Sequence, residues 1–254
     1  MINLQQMTIL VTRPNPAGNE LCRLIDAHGG KAIHLPTIEI VPIIHPQLIE
    51  NIKQIDQLDW LIFISPQAVY IGGQAIKKIW PTLPQHIKIA AVGAGTAQAL
   101  KEMGYNVHVY PEMEAGSEGL LAVTEFSHIA NKKIMIVRGQ EGRELLAHSL
   151  EGRGAIVKHL ITYERRKANI NINPYLDLLK TQQIDAIIGA SVTAIQYLKE
   201  LCGEIGWEYI KVIPLVVLSE RIKTLAHNLG FQTIWITRNS SHIAFIEAIQ
   251  KKGK

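Results

Sequence analysis

Small or hydroxyl-bearing residues stand at the predicted starts of several helices, each soon after a predicted strand. A helix start presents free backbone N–H groups and the positive end of the helix dipole, and each exposed start can stabilise an anion by about 0.3 to 1 kcal/mol. The same residue types also cap helices in proteins that bind nothing, and any single position is open to that interpretation. Taken together, the set indicates a ligand with several carboxylates or phosphates. Its members are Ser65, Thr96 after Gly93, Ser117 after Gly116, Gly139, Ser191, Ser219 and the pair Ser240 and Ser241.

Two arginines stand at the ends of equivalent predicted strands, Arg13 after the first strand and Arg138 near the middle of the chain. A guanidinium binds a carboxylate through two parallel hydrogen bonds, so both side chains are candidates for an acidic ligand. Each could equally pair with its own loop, and the sequence leaves that alternative open. The predicted substrate-binding residues are Arg13, Ser65, Thr96, Ser117, Arg138, Gly139, Ser191 and Ser219.

Several other chemistries lack their sequence signals. Gly93-Ala-Gly95 is a poor dinucleotide fingerprint because Gln98 stands where the third glycine of G-x-G-x-x-G would be. There is no P-loop pattern, no G-x-S-x-G elbow and no H-E-x-x-H helix. The ten histidines include no pair four residues apart and no cysteine-histidine cluster. We therefore predict neither a nucleotide cofactor nor a metal.

The composition, 47% apolar and 19% charged, is ordinary for a soluble α/β protein. A net charge of +4 would help to attract an acidic small molecule, whereas nucleic-acid binding is poorly supported because the densest basic run is Arg165-Arg166-Lys167. Cys22 and Cys202 are far apart, as expected for free thiols in a reducing compartment. No apolar run approaches the roughly 18 residues of a membrane span, and no signal peptide is evident. These features predict a cytoplasmic protein that binds neither membranes nor nucleic acids.

Short apolar runs alternate with helical patterns along the chain, which is typical of a parallel sheet covered by helices on both faces. Residues 133–165 read as a strand, a glycine-containing turn, a helix and a second strand, and the N-terminus repeats this unit. Arg13 corresponds to Arg138 and Gly29 to Gly154, at a constant offset of 125 residues (138 − 13 and 154 − 29). One strand-helix-strand unit is therefore predicted to occur twice.

A second correspondence links residues 59–104 to residues 185–230, at an offset of 126 (185 − 59 and 230 − 104). Between these anchors the patterns predict, among other elements, a helix from Pro66 to Lys78, a strand from Val107 to Tyr110 and a helix from Val192 to Leu201. The two repeats together predict two similar domains, the second inserted into the first.

The insertion sets the predicted domain boundaries, and the ligand site is expected in a cleft between the domains, near the carboxyl ends of the strands. Domain A comprises residues 1–36 and 167–254, domain B comprises 42–161, and the connectors are 37–41 and 162–166.

Several short motifs are spread over the whole chain, and their order and spacing are more specific than any one of them. They are Val11-Thr-Arg-Pro14, Phe63-Ile-Ser65-Pro66, Ala91-Val92-Gly93 with Thr96-Ala97, Ser117 to Leu121, Arg138-Gly139, Arg153-Gly154-Ala155 and Tyr163. Together they resemble the motifs of the uroporphyrinogen-III synthase family. The resemblance implies two flavodoxin-like α/β domains with parallel sheets, joined by a two-stranded connector.

The resemblance also implies a cofactor-independent lyase of tetrapyrrole and haem biosynthesis. Its substrate, hydroxymethylbilane, carries acetate and propionate arms on every pyrrole. The enzyme removes the terminal hydroxyl as water, inverts ring D through a spiro intermediate and closes the ring as uroporphyrinogen III. We expect such an enzyme to act as a monomer on this small molecule.

Among the residues of the motif, the resemblance makes Tyr163 the candidate that assists departure of the hydroxyl. A phenol can donate a proton, although packing between the domains is the alternative role for a connector tyrosine. Thr96 matches the threonine of the family's G-x-x-T-A turn. The corresponding turn of domain A departs from the pattern with Ser219-Glu220-Arg221-Ile222, which leaves a hydroxyl role there in doubt.

Two other functions fit parts of the pattern. A non-catalytic binding or regulatory protein for a polyanionic small molecule could have the same repeats and hinge. A nucleotide-binding transferase would need a phosphate loop with closely spaced glycines, which this sequence lacks.

Overall fold

The computed structural model describes residues 2–112, 114–142, 144–181 and 183–252. The chain divides into two compact units. Unit 1 consists of Met1–Ile40 and Arg166–Lys254, and unit 2 consists of Val41–Arg165. Unit 2 is therefore inserted into unit 1, between Ile40 and Arg166.

The structure has two sheets, each of mostly parallel strands. The strands of the described residues are β1 (Thr8–Val11), β2 (Lys31–His34), β3 (Ile38–Pro42), β4 (Trp60–Phe63), β5 (Lys88–Ala91), β6 (Lys133–Gly139), β7 (Ile156–Lys167), β8 (Ala186–Ile188), β9 (Leu215–Val217) and β10 (Ile234–Ile236).

Helices follow most strands. Those of the described residues are α1 (Ala17–Ala27), α2 (Pro46–Lys53), α3 (Pro66–Ala68), α4 (Gln74–Ile79), α5 (Ala94–Glu102), α6 (Ser117–Ala122), α7 (Leu145–Gly152), α8 (Asn173–Lys180), α9 (Val192–Ile210), α10 (Glu220–Asn228) and α11 (His242–Lys252).

The strand orders confirm the predicted fold class of two similar flavodoxin-like, mostly parallel sheets. The exception is β3, which runs antiparallel to β7, as shown by the hydrogen bonds from Ile43 N–H to the Thr162 carbonyl and from Ala168 N–H to the Thr37 carbonyl. The first sheet has the order β10-β9-β8-β1-β2 and the second the order β3-β7-β6-β4-β5. In the first sheet, β1 pairs in parallel with β2 on one side and with β8 on the other. In the second sheet, β6 pairs in the same way with β7 and with β4. The ends of unit 2 lie within β3 and β7, which are neighbours in their sheet.

The central strands are apolar throughout because helices cover both of their faces. In unit 1, Leu10 and Ile187 belong to the core on one side of the sheet. Ile9, Val11 and Ile188 belong to the core on the other side. Successive side chains of a strand point to opposite faces, so each of these short strands contributes to both cores.

One predicted strand and the end of one predicted helix differ from the structure. The strand predicted at Val107 to Tyr110 is reduced to a bridge between Ala90 and Val109, because the N–H groups of His108 and Val109 both donate to the carbonyl of Ile89. Helix α9 continues to Ile210, nine residues beyond the predicted end at Leu201 (210 − 201). Non-helical Gly203 interrupts it, but the buried side chains of Trp207 and Ile210 give the second part a packed face.

The predicted helix Pro66 to Lys78 contains a π-helical turn, Val69–Gly73, between α3 and α4. Gly72 in this turn packs so closely on the sheet that an added Cβ would lie 2.5 Å from Val137 Cγ1 and 2.9 Å from Thr162 Cγ2. A side chain larger than hydrogen has no space there without movement of β6 or β7.

We therefore expect Gly72→Ala to lower the free energy of unfolding by about 1 to 3 kcal/mol, as overpacking of a core does. The matched control is Gly152→Ala in the same unit, where an added Cβ meets nothing within 4 Å. That substitution should raise the free energy of unfolding by about 0.4 to 1 kcal/mol, because alanine restricts the unfolded chain. Urea unfolding followed by circular dichroism measures both, and equal shifts for the two variants would contradict the prediction.

Candidate functional site

At the carboxyl edge of the sheet in unit 2, two hydroxyl groups meet. Strand β4 ends at Phe63, and Ser65 then caps α3 by accepting a hydrogen bond from Ala68 N–H at 3.1 Å. Strand β7 carries Tyr163, whose Oη lies 3.0 Å from Ser65 Oγ. The carboxyl ends of parallel strands are where α/β proteins bind their ligands, so this pair lies at the expected edge.

Tyr163 is held by the backbone of β6 next to a bulge in β7, where Thr162 is the extra residue. The register between β6 and β7 shifts between Arg138 and Gly139, which pairs Gly139 with Tyr163. A Cβ at Gly139 would lie 2.6 Å from Tyr163 Cε2, so the absence of a side chain lets the ring pack against the strand. Gln140 N–H donates to the Tyr163 carbonyl at 2.8 Å. The tyrosine is 3% exposed, so its ring position is determined by packing.

Arg138 is buried beside this bulge, at 3% exposure. Its Nη1 donates to Glu144 Oε1 at 2.7 Å, and its Nε donates to the carbonyl of Gly139 at 3.2 Å. Its Nη2 is buried and has no hydrogen-bond partner among the described residues. The guanidinium thus holds its own loop and keeps one donor group for a further acceptor.

His159 on β7 lies next to this guanidinium, with Nδ1 3.2 Å from Arg138 Nη1. Burial lowers the pKa of His159 below its usual value, and the positive charge of Arg138 lowers it further, against an opposing effect of Glu144 and Glu151. His148 adds to the lowering. The imidazole is therefore neutral in the folded protein at neutral pH.

Because the unfolded chain protonates His159 more readily than the folded chain does, we expect stability to fall as the pH drops below about 6.5. The contribution is fully present above the unfolded pKa and is lost as the pH falls through it towards the folded pKa. Urea unfolding at about pH 7.5 and about pH 5.5 should show a smaller pH-dependent loss for His159→Gln than for the unmodified protein. An unchanged pH dependence in the variant would contradict this assignment.

Two further predicted site residues of unit 2 begin helices without capping them through their side chains. Thr96 is the third residue of α5 and is buried, and its N–H donates to the carbonyl of Gly93 at 3.1 Å. Ser117 is the first residue of α6, and the residue before it, Gly116, has a φ of 119° that favours glycine. The backbone of each turn, more than the hydroxyl, shapes these two helix starts.

In unit 1, the predicted serines are helix caps at the carboxyl edge of the sheet. Ser191 follows β8 and accepts from Ala194 N–H at 3.1 Å. Ser219 follows β9 and accepts from Ile222 N–H at 3.4 Å. Each hydroxyl therefore accepts a hydrogen bond from a free backbone N–H in the first turn of its helix, α9 or α10, and keeps its own hydrogen to donate.

Arg13 follows β1 in unit 1 as Arg138 ends β6 in unit 2. Its guanidinium lies 5.5 Å from the centre of the Phe245 ring, and its Nη1 is buried without a hydrogen-bond partner in the part of the chain that the structure describes. Burial lowers the pKa of Arg13, partly offset by the negative charge of Glu20. Both predicted arginines therefore have one buried donor nitrogen that a carboxylate could accept from.

A pocket of about 580 Å³ lies at the same edge of unit 1, between the turn at Asn15 and residues 36–40 and 168–170. A second pocket, of about 360 Å³, lies in unit 2 beside Ile87, before the start of β5. That position is at the amino ends of the strands, opposite to the hydroxyl pair. Ligands of parallel sheets bind at the carboxyl ends, so we consider the first pocket relevant to the site and not the second.

The structure brings three of the predicted residues into contact: Ser65, Gly139 and Tyr163. The side chain of Arg138, next to Gly139 in β6, contacts Glu144 and His159 instead. Arg13, Ser191 and Ser219 lie at the carboxyl edge of the other sheet. Sequence reasoning missed the partners of the arginines, which are Glu144 and His159 for Arg138 and Phe245 for Arg13. It also missed Gly72, although two adjacent glycines inside a helical pattern indicate close packing.

Among residues 2–112, 114–142, 144–181 and 183–252, no group of three or more His, Cys, Asp or Glu side chains is arranged to hold a metal ion. None of the helices described is long and apolar enough to cross a membrane.

Two flavodoxin-like units, one inserted into the other, define a class of two-unit α/β proteins. A family model described as uroporphyrinogen-III synthase HemD matches residues 19–246. The chain belongs to the uroporphyrinogen-III synthase family.

Similar sequences and structures carry the same name. The uroporphyrinogen-III synthase of Escherichia coli is 32% identical over 249 residues, which covers 96% of this chain and 100% of that protein. The enzyme of Proteus mirabilis is 34% identical and covers 76% of this chain and 97% of its own length. A crystal structure of a mutant uroporphyrinogen III synthase from Thermus thermophilus has a TM-score of 0.60 at 16% identity, with 97% of this chain and 100% of that chain covered. The Helicobacter pylori structure has a TM-score of 0.59 at 14% identity, with 95% and 97% covered.

Proposed function

We propose that this chain cyclises hydroxymethylbilane to uroporphyrinogen III with inversion of ring D and loss of water, as a cofactor-independent lyase. The observation that carries the proposal is the match to the Escherichia coli enzyme, which extends over 96% of this chain and all of that protein. The paired hydroxyls of Ser65 and Tyr163, at the ligand-binding edge of a parallel sheet, add a chemical group suited to the reaction.

The substrate-binding groups in this proposal are those that suit carboxylate arms. Arg13 and Arg138 each contribute a buried guanidinium nitrogen that has no partner among the described residues. The helix starts contribute N–H groups and hydroxyls at Ser65, Thr96, Ser117, Ser191 and Ser219. Gly139, expected at a helix start, is instead the last residue of β6, six residues before α7, and contributes only its backbone. A ligand with an acetate and a propionate arm on every pyrrole could engage many such groups at once, and each contact would add a small stabilisation.

In the proposed mechanism, Tyr163 donates its phenolic proton to the departing hydroxyl group. Hydroxymethylbilane loses water and closes without inversion even when it is unassisted, so acid catalysis alone does not explain formation of the III isomer. Control of the folded shape of the bilane is therefore the larger requirement, met by fixed donors that hold the acid arms.

We further propose that the protein acts in the cytoplasm as a monomer, without a nucleic-acid or membrane partner. The modest positive charge of +4 suits an acidic small molecule. Sedimentation velocity of the purified protein, with and without substrate, measures its oligomeric state and so tests whether it is a monomer.

The decisive test of the proposed reaction is incubation of the pure protein with freshly prepared hydroxymethylbilane, followed by oxidation and chromatographic separation of the product isomers. We expect the III isomer to predominate, whereas a parallel incubation without protein should yield the I isomer. Tight binding of the bilane with formation of the I isomer alone would contradict the proposal and favour a non-catalytic binding protein.

A further inference from the structure

The hydroxyl of Ser65 has a hydrogen-bonding pattern that bears on the chemistry of Tyr163. Ser65 Oγ accepts from Ala68 N–H at 3.1 Å and lies 3.0 Å from Tyr163 Oη. A serine hydroxyl has one hydrogen to donate, and acceptance from Ala68 does not use it. That hydrogen can therefore point at the phenolic oxygen, which leaves the phenol's own hydrogen free for another acceptor.

We propose that Ser65 is a positioning residue that acts through Tyr163. Its hydroxyl donates to Tyr163 Oη, directs the phenolic proton towards the substrate and stabilises the oxygen as it becomes negative. This inference rests on the proposed function, in which Tyr163 is the proton donor. It replaces direct binding of an acid arm as the expected role of Ser65.

Protons and electrons balance in the loss of the hydroxyl group and the ring closure that follows. The Tyr163 O–H bond breaks and its proton passes to the hydroxyl oxygen of the bilane, while the carbon–oxygen bond breaks and its electron pair leaves with water. The pyrrole nitrogen supplies electrons to the exposed methylene carbon. The methylene carbon first bonds to the ring D carbon that carries the bridge to ring C, which gives the spiro intermediate. The bond from that carbon to the bridge then breaks, its electron pair returns to ring D, and the bridge carbon becomes the new electrophile. The free α-carbon of ring D bonds to the bridge carbon and loses its proton, which restores the phenol. Ser65 keeps its own proton throughout and contributes only the hydrogen bond.

The surroundings of the pair give this hydrogen bond its strength. Tyr163 is 3% exposed, and its ring packs against Gly139, so water has little access to compete for the phenolic oxygen. A hydrogen bond to a charged acceptor is stronger than one to a neutral acceptor. The contribution of Ser65 therefore grows as negative charge develops on Tyr163, which lowers the barrier and leaves substrate binding unchanged.

Kinetics of Ser65 variants, alone and combined with Tyr163→Phe, test the proposal. We expect Ser65→Ala to lower kcat by about ten-fold or more with little change in KM, and Ser65→Thr to restore most of the activity. In the Tyr163→Phe background, Ser65→Ala should cost almost nothing further, because the group through which Ser65 acts is already gone.

The variant Ser65→Gly separates the helix-capping role of Ser65 from its hydrogen bond to Tyr163, because glycine is a good helix cap and alanine a poor one. Equal losses of kcat in Ser65→Ala and Ser65→Gly support the proposal, whereas normal turnover of Ser65→Gly would show that capping alone matters and would overturn it. A loss of the same size with and without the Tyr163 hydroxyl would also overturn it. Full turnover of Tyr163→Phe would exclude the tyrosine from the mechanism, and with it this role of Ser65. Formation of the I isomer alone by the unmodified protein would instead refute the proposed reaction.

Discussion

Replacement of Tyr163 by phenylalanine is expected to lower the turnover of hydroxymethylbilane by at least about ten-fold, and by up to about 10⁴-fold if proton transfer limits the rate. The variant keeps the ring that packs against Gly139 and loses only the hydroxyl that lies 3.0 Å from Ser65 Oγ. The fold should therefore persist, as measured by circular dichroism. Initial rates of formation of the III isomer give the effect.

The matched control for this substitution is Tyr105→Phe. Tyr105 is also buried in unit 2, and its hydroxyl donates to the carbonyl of Gly73 at 2.7 Å. We expect the free energy of unfolding of this control to fall by about 1 kcal/mol and its turnover to stay unchanged, because the Tyr105 hydroxyl makes a structural hydrogen bond. Unchanged turnover of Tyr163→Phe would remove Tyr163 from the mechanism, and equal losses in both variants would indicate a structural role for the two tyrosines.

A methyl group added at Gly139 should have an effect of similar size, although it removes no functional group. The Cβ of Gly139→Ala would lie 2.6 Å from Cε2 and 2.7 Å from Cζ of Tyr163, so the ring must shift. Displacement of a reacting group by about 1 Å can reduce a rate by about 10²-fold. We therefore expect kcat to fall by about that factor, with a larger share of the I isomer among the products.

The balance between kcat and KM distinguishes the ways in which Gly139 could act. A fall in kcat at constant KM indicates a displaced Tyr163, whereas a rise in KM alone indicates that the backbone at Gly139 binds an acid arm. Gly152→Ala again serves as the control, since its Cβ would meet nothing within 4 Å. Normal values of both constants in Gly139→Ala would show that the packing of the Tyr163 ring has no role in the reaction.

The inserted arrangement and the duplicated sheets could be predicted from the sequence because strands that are buried on both faces must be apolar throughout. The four residues of β4, Trp60–Phe63, are all buried, and so are the three of β8, Ala186–Ile188. Proline and glycine marked many of the helix ends, since proline fits the first turn and glycine adopts the positive φ that often follows the last one. Gly29 and Gly154, equivalent in the two repeats, have φ angles of 83° and 84°.

The limits of local patterns are clear in α9 and in the bridge at Val109. A glycine at position 203 predicts an end to the helix, but the chain resumes its helix because Trp207 and Ile210 are buried in the core of unit 1. The residues around Val109 have strand propensity, but too few ladder hydrogen bonds form for a strand. In both places long-range packing, which no window of sequence contains, decides the outcome.

The sequence by itself determined the fold class, the family and the residue types available for chemistry, because periodicity, capping and motif order are properties of neighbouring residues. Only the tertiary structure decided which of those residues meet. Ser65 and Tyr163 are 98 residues apart, and their contact requires the end of β4 and Tyr163 of β7 to lie at one edge of the same sheet. The partners of Arg138 likewise come from the following loop and from β7. Such contacts arise from strand pairing and register, whose free energy depends on the whole core and not on any local stretch of the chain.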